Sequence, residues 1–233
     1  MSSRLAFVRS LKLVESLTLD SPAAKVVAGS LASFTPELST QQMHDVQNST
    51  LLAQLAATKK FPDKRDVGYW YKFYFDVLSN VGWDMQNFGF DEYKSHQASF
   101  KLSEVTLELL SALVGNDKQL LKVVKETLNS FAKSPQGLTL FADNSASEQH
   151  GLFQILPCTV MNGQVSLASI AAYFKASQVS DDYFFSNYNS QDITLHKATQ
   201  VITLDEEVYG KVRQEIIDKL GPNAYQYVKN LPV

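Results

Sequence analysis

Hydrophobic positions along the chain change their period twice, from helical to alternating and back to helical. In the first sixty or so residues they recur at intervals of three and four, the spacing of a helix with one buried face. Leu5, Phe7, Val8, Leu11 and Val14 mark a short amphipathic helix. Ser21-Pro22 predicts a second start, because Ser accepts a bond from a free helix N–H and Pro has no N–H to leave unsatisfied. Val26, Val27, Leu31 and Phe34 then form its stripe up to Thr35-Pro36. Ser39 with Gln42 has the form of a capping box and opens a third helix, whose polar first half gives way to Leu51, Leu52, Leu55 and Ala56. The expectation is a helical N-terminal layer over residues 1–62.

Residues 63–66, DKRD, form a charged hinge before the densest aromatic run of the chain: Tyr69, Trp70, Tyr71, Phe73, Tyr74 and Phe75. Aromatic residues favour strands, but Val77, Leu78 and Val81 continue the run at helical spacing, so a helix is expected through Asn80. Residues 82–93 and 98–102 read as extended. Over 103–133 the helical pattern is clearest. Ser103 serves as a cap, Val105, Leu109, Leu110 and Leu113 form a stripe, and Gly115 ends it; Asn116 caps the next helix, with Leu120, Leu121, Val124, Leu128 and Phe131. The second helix is expected to stop at Ser134-Pro135. So short a turn between two helices predicts an antiparallel αα-hairpin.

From 137 to 204 apolar residues come in short blocks, at 138–141, 152–160, 165–176, 183–188 and 193–204, and each reads as a strand. Asn162-Gly163 between two of them is a hairpin signal, since both residues accept the positive φ of a type I′ turn. In 166–176 one parity carries Leu167, Ala171 and Tyr173 and the other Ala168, Ile170, Ala172 and Phe174. With no polar face, this strand is expected at the centre of a sheet covered on both sides. Asp205 then caps a C-terminal helix striped by Val208, Tyr209, Val212, Ile216, Ile217 and Leu220, ended by Gly221-Pro222, and a short last helix carries Tyr225 and Val228. The expected fold is α+β in one domain, residues 63–233 supplying a mainly antiparallel sheet and its covering helices.

Composition narrows the function more by exclusion than by assignment. The chain has 233 residues, 45% hydrophobic and 19% charged, with a net charge of −3 and no long basic run. That argues against nucleic acid as a partner, which needs clustered Lys and Arg. The single cysteine, Cys158, excludes an intrachain disulfide and a Cys-rich zinc site, and a cytoplasmic location is the default. No apolar run approaches a membrane span. Arg9, Ser10 and Lys12 interrupt any secretory signal, and Arg4, Arg9 and Lys12 instead give the first helix a basic face, as in helices that lie on membrane surfaces.

Chemistry-bearing patterns are sparse. Of the four histidines, His44, His96, His150 and His196, no two lie within four residues, so no local metal motif exists. His196 is the one placed in a strand facing the same way as Ala198 and Ile202. Cys158 sits in the apolar run LPCTVM, and a buried inert thiol fits it better than a nucleophile or an acylation site. Phosphate-binding glycine loops and a nucleophile elbow are missing. Asp181-Asp182 reads as a hairpin loop and Asp205-Glu206-Glu207 as capping. The sequence therefore assigns no catalytic residue, no cofactor and no metal ligand.

Aromatic residues make up 11% of the chain. The plain reading is core filling, but six rings in seven residues cannot all point to one side of a helix. The candidate interaction residues are Leu5, Phe7, Val8 and Leu11 with Tyr69, Trp70, Tyr71, Phe73 and Tyr74. Three functions remain: a self-assembling homo-oligomer or protein-binding domain, a membrane-active, pore-forming, toxin-like protein, or an enzyme whose site is dispersed in sequence. In layered architecture the expected fold is similar to small α/β cytolysins, where helices detach from a sheet, which is analogy of fold and not of site.

Overall fold

The computed structural model describes residues 2–12, 24–63, 65–86, 89–115, 117–221 and 224–231. Val14, Ser21-Pro22, the Asn116 cap and Pro222 lie outside them. In chain order the elements are α1 (Ser2–Ser10), β1 (Ala24–Val27), β2 (Ser30–Phe34), α2 (Thr40–Lys60), α3 (Val67–Val81), β3 (Trp83–Asp84), β4 (Asp91–Tyr93) and β5 (Ser99–Phe100). There follow α4 (Leu102–Val114), α5 (Lys118–Ala132), α6 (Pro135–Ser145), β6 (His150–Met161), β7 (Gln164–Ala176), β8 (Tyr188–Asn189), β9 (Ile193–Leu204), α7 (Glu206–Gly210), α8 (Arg213–Leu220) and β10 (Val228–Leu231).

The class is α+β, as the periodicity predicts. The main sheet runs β10-β1-β2-β6-β7-β9-β3, with β4 also on β9. Every pairing in it is antiparallel except β2 with β6. Asn162 and Gly163 turn β6 into β7 with φ of 52° and 78°, both in the left-handed region that a type I′ hairpin requires. β7 lies between β6 and β9, and Val165 through Ala172 are buried on both parities. Val165, Leu167 and Ala171 face one core with α1, α2, α3, α7 and α8; Ala168, Ile170, Ala172 and Phe174 face another with α4, α5 and α6. The strand with no polar face is thus covered on both sides, as is its neighbour β6.

Beneath the first layer α2 is itself enclosed, with Asp45 through Ala57 all buried. Its start is the expected capping box: Ser39 Oγ accepts from Gln42 N–H, and Gln42 Oε1 from Ser39 N–H. A polar group inside needs a partner, or its desolvation is uncompensated. Arg213 of α8 holds Asp45 through two bonds of 2.8 and 2.7 Å. Gln47 accepts from Lys25 Nζ at 2.7 Å, and Gln54 accepts from Gly29 N–H and donates to Val27 O. Ser49 Oγ donates to Asp45 O and accepts from Trp83 Nε1 at 3.0 Å. α1 docks across this layer. Arg4 donates to the carbonyls of Ser79 and Asn80 at the end of α3, where a cation is favoured by the helix dipole, and Arg9 pairs with Glu215.

Several elements differ from the sequence reading. The predicted helix over 26–34 is the hairpin β1–β2: all residues 24–34 are buried, so there was no polar face from which to read a period. The block 138–141 belongs to α6, because Ser134 caps a helix with Pro135 at its first position and accepts from Gly137 N–H, so Ser134-Pro135 is a start as well as a stop. Residues 183–187 are turns rather than a strand; Tyr183 and Phe184 are apolar because they plug the second core. α4 begins one residue before Ser103, with Glu104 accepting from Lys101 N–H, and Asp117 caps α5. The C-terminal helix breaks into α7 and α8, and the short last helix is a single 3-10 turn, Tyr225–Tyr227, after which Val228 opens the edge strand β10 on β1.

The Asp45–Arg213 pair provides a stability test. Arg213→Gln strands a carboxylate that is 1% exposed, at an expected cost of about 3 kcal/mol. Denaturant unfolding measures it, and Asp45→Asn in the same background should recover a large part of the loss.

Candidate functional site

Helical period divides the aromatic run of α3 between inside and outside. Trp70, Tyr71, Tyr74 and Phe75 are buried, while Tyr69 is 67% exposed and Phe73 half-buried. Tyr71 is the anchor. Its hydroxyl lies 2.9 Å from the carbonyls of both Phe153 and Ala172, which face each other across β6 and β7, and accepts from Gln154 Nε2 at 3.1 Å. Burial pushes this phenol well above its ordinary pKa. Of the N-terminal candidates, Val8 and Leu11 are buried against the first core, and Leu5 and Phe7 are half-buried beside it. The docked α1 thus turns most of its apolar stripe inward.

The residues that remain at the surface meet where α2 ends. Phe61 closes α2, its N–H bonded to Ala57 O at 2.8 Å. Tyr69 stacks on Phe61 with centroids 5.9 Å apart, and Phe73 meets the same ring edge-on at 6.3 Å. Lys60 Nζ lies 3.9 Å from the Phe73 centroid, a cation–π contact. Between α3 and the residues Met85, Gln86, Gly89 and Phe90 runs a groove of about 820 Å³, floored by Tyr71, Phe75, Met85 and Phe90. A second, of about 600 Å³, lies between α1 and the end of α2 and is lined by Phe7, Leu11 and Lys59. The two share Lys60 and Phe73.

Charge on this face is one-sided. Lys12, Lys59, Lys60 and Lys72 line the grooves, and Asp76 is the acid among their lining residues. Among the described residues none of these lysines pairs with a carboxylate. On a chain of net charge −3 that is a local excess of positive charge. Sequence reasoning found the rings and missed the lysines. The signal was present: Lys59-Lys60-Phe61 ends α2, and Lys72 stands beside Phe73 on the outward face of α3.

Other candidates settle elsewhere. Cys158 is fully buried, its Sγ 3.3 Å from Leu156 O, and burial pushes the thiol far up from its usual range. His196 lies flat on Tyr173 with centroids 4.5 Å apart, and its Nδ1 is buried without a partner. Among the described residues no three His, Cys, Asp or Glu side chains group where they could hold a metal ion.

No protein-family model matches the chain, and no curated protein matches it. Similar chains among solved structures include one described as the Evf virulence factor, at 11% identity and a TM-score of 0.46, covering 96% of this chain and 91% of that one. Another is described as a delta-endotoxin, at 12% identity and a TM-score of 0.42, covering 83% of this chain and 88% of that one. Both scores are too low to establish a shared fold, so neither likeness bears on what this chain does.

The setting of Cys158 fixes an expected reactivity. A soluble disulfide reagent should leave the native thiol unmodified over hours and label it within minutes in denaturant, because the thiolate is the reacting form. Fast native labelling would contradict the buried, protonated thiol.

Proposed function

We propose that the protein binds anionic membrane surfaces peripherally, through the face built by α1, the end of α2 and the outer side of α3. The observation that supports this most is the set of unpaired lysines interleaved with Phe7, Tyr69 and Phe73 around two adjoining grooves. Amphipathic rings sit well at the depth of lipid headgroups, and lysines beside them gain from anionic phosphates. Each lysine at such a surface contributes on the order of 1 kcal/mol, and more than one signal is needed for stable attachment. Among the described residues no helix is long and apolar enough to cross a membrane, so the reading is attachment to a surface.

Self-association through the same face is the competing reading. A two-fold contact would set the patch against its own copy, lysine against lysine, with Asp76 alone in the grooves to offset them. Charge complementarity therefore favours a partner of opposite sign. Light scattering across a range of concentrations separates the two, and dye release from vesicles separates surface attachment from pore formation.

Co-sedimentation with vesicles of phosphatidylcholine and phosphatidylserine tests the proposal. The full chain should bind at low salt, weaken as salt rises, and ignore pure phosphatidylcholine. Lys59→Gln with Lys60→Gln should reduce partitioning by about thirtyfold, since two lysines carry about 2 kcal/mol there. Tyr69→Ala should lower it further without altering the fold, the ring being largely exposed. Unchanged binding in the double lysine variant would overturn the reading.

A further inference from the structure

On the other side of the first turn of α3, nitrogen-bearing side chains from three strands and a loop converge on a cleft of about 390 Å³. Arg65 reaches it from the loop before α3, His150 from the start of β6, Lys175 from the end of β7 and His196 from β9, with Thr194 beside them. Sheet register brings them together. His150 pairs with Lys175, Lys175 with Thr194, and Tyr173 with His196, so the ends of three adjacent strands present these groups side by side.

The donors there are largely uncommitted. Lys175 has no carboxylate partner among the described residues. His196 lines the cleft with its ring stacked on Tyr173, and its Nδ1 is sealed from solvent. Arg65 is held by Asp63 through Nε at 3.0 and 2.9 Å from its two carboxylate oxygens. That pair offsets the charge of Asp63, which lines an adjoining opening with Glu148, while Asp192 lines another with Lys175 and Thr194. The Lys175 ammonium, the Arg65 guanidinium, the His150 imidazole and the Thr194 hydroxyl come from four different elements and suit a tetrahedral oxyanion, which accepts bonds in several directions at once. Gly68 lines both this cleft and the large aromatic groove, and a Cβ there would meet nothing within 4 Å. The cleft and the groove thus adjoin at Gly68.

We propose that this cleft binds a phosphate group, carried by a ligand whose apolar part lies in the adjoining aromatic groove. The identification of that ligand as a membrane lipid rests on the membrane-surface reading above; the binding of phosphate does not.

The four histidines provide the assay. His150 and His196 belong to the cleft, whereas His44 and His96 lie outside its lining. Inorganic phosphate is titrated into the full chain at constant ionic strength, with chloride as the balancing anion, and the imidazole proton resonances are followed by NMR. The expected result is a saturable shift of the His150 and His196 signals with those of His44 and His96 unmoved. Lys175→Gln should raise the half-saturating concentration about tenfold, equal to about 1.4 kcal/mol. Lys175 is exposed, so the variant folds, and Thr194→Val provides an independent check with the same direction. Four signals moving alike, a shift linear in phosphate, or no shift would overturn the proposal.

Vesicles distinguish the sources of the phosphate. If a lipid supplies it, vesicles with phosphatidic acid bind better than vesicles of equal charge with phosphatidylserine, and Lys175→Gln removes that preference while keeping the common binding. If the NMR shift saturates and Lys175→Gln leaves the vesicle preference unchanged, the cleft stands and its ligand is a water-soluble phosphate. Loss of all vesicle binding in the unaltered chain would remove the membrane reading and leave the histidine result to decide the cleft.

Discussion

Between Asp45 and Gln54 the helix α2 carries Asp, Gln, Asn, Ser, Thr and Gln side chains, and all of them are buried. Enclosing such a helix is favourable only if its polar groups are bonded from outside. The partners come from distant stretches: Lys25 on β1, Gly29 in the β1–β2 turn, Trp83 on β3 and Arg213 on α8. Each bond ties α2 to a different element. The short β1–β2 hairpin is held to α2 from one side and to β6 and β10 by its edges. α8 meets α2 through Arg213 and α1 through Glu215. The polar helix thus orients most of its layer.

The opposite layer is organised differently. There Phe131, Phe141, Phe153, Phe174 and Phe184 meet edge-on or tilted at centroid distances of 5.2 to 6.4 Å. Ring packing is strong in sum and tolerant in detail, whereas a bonded carboxylate or amide admits one geometry. The sheet therefore carries a specified face and a more adaptable one. The candidate surface belongs to the specified side, where α3 is pinned to the sheet by Tyr71.

That division also explains what could be read from the chain. The double-sided strand β7, the Asn162-Gly163 turn, the Ser39–Gln42 box and the αα-hairpin were legible because each rests on local rules of period, turn or cap. The segment 24–34 was not: when Lys25 and Ser30 are buried as completely as Val26, polarity no longer reports the surface. The block 138–141 failed because a short apolar run fits strand and helix alike, and Ser134-Pro135 both ends one helix and begins another. The aromatic half of the candidate surface was visible in sequence, but which rings face outward followed only once the run was known to be helical. The cleft of Arg65, His150, Lys175 and His196 was invisible, since register across three strands, not spacing along the chain, assembles it.

A chain of rings joins the two candidate regions beneath Gly68. Tyr71 lies 4.9 Å from Phe90, Phe90 lies 5.0 Å from Tyr173, and Tyr173 lies 4.5 Å from His196. Its first member is fastened to the carbonyls of β6 and β7, and its last stands on β9 among the residues that line the cleft. Phe90 is the one link outside the sheet and α3, in the segment that walls the aromatic groove. A group settling in the groove presses on Phe90 and through it on Tyr173, whose opposite neighbour is the histidine of the cleft. Phe90 is therefore the ring through which the groove touches the residues of the cleft. The arrangement favours a single ligand that fills both over two ligands that fill them separately.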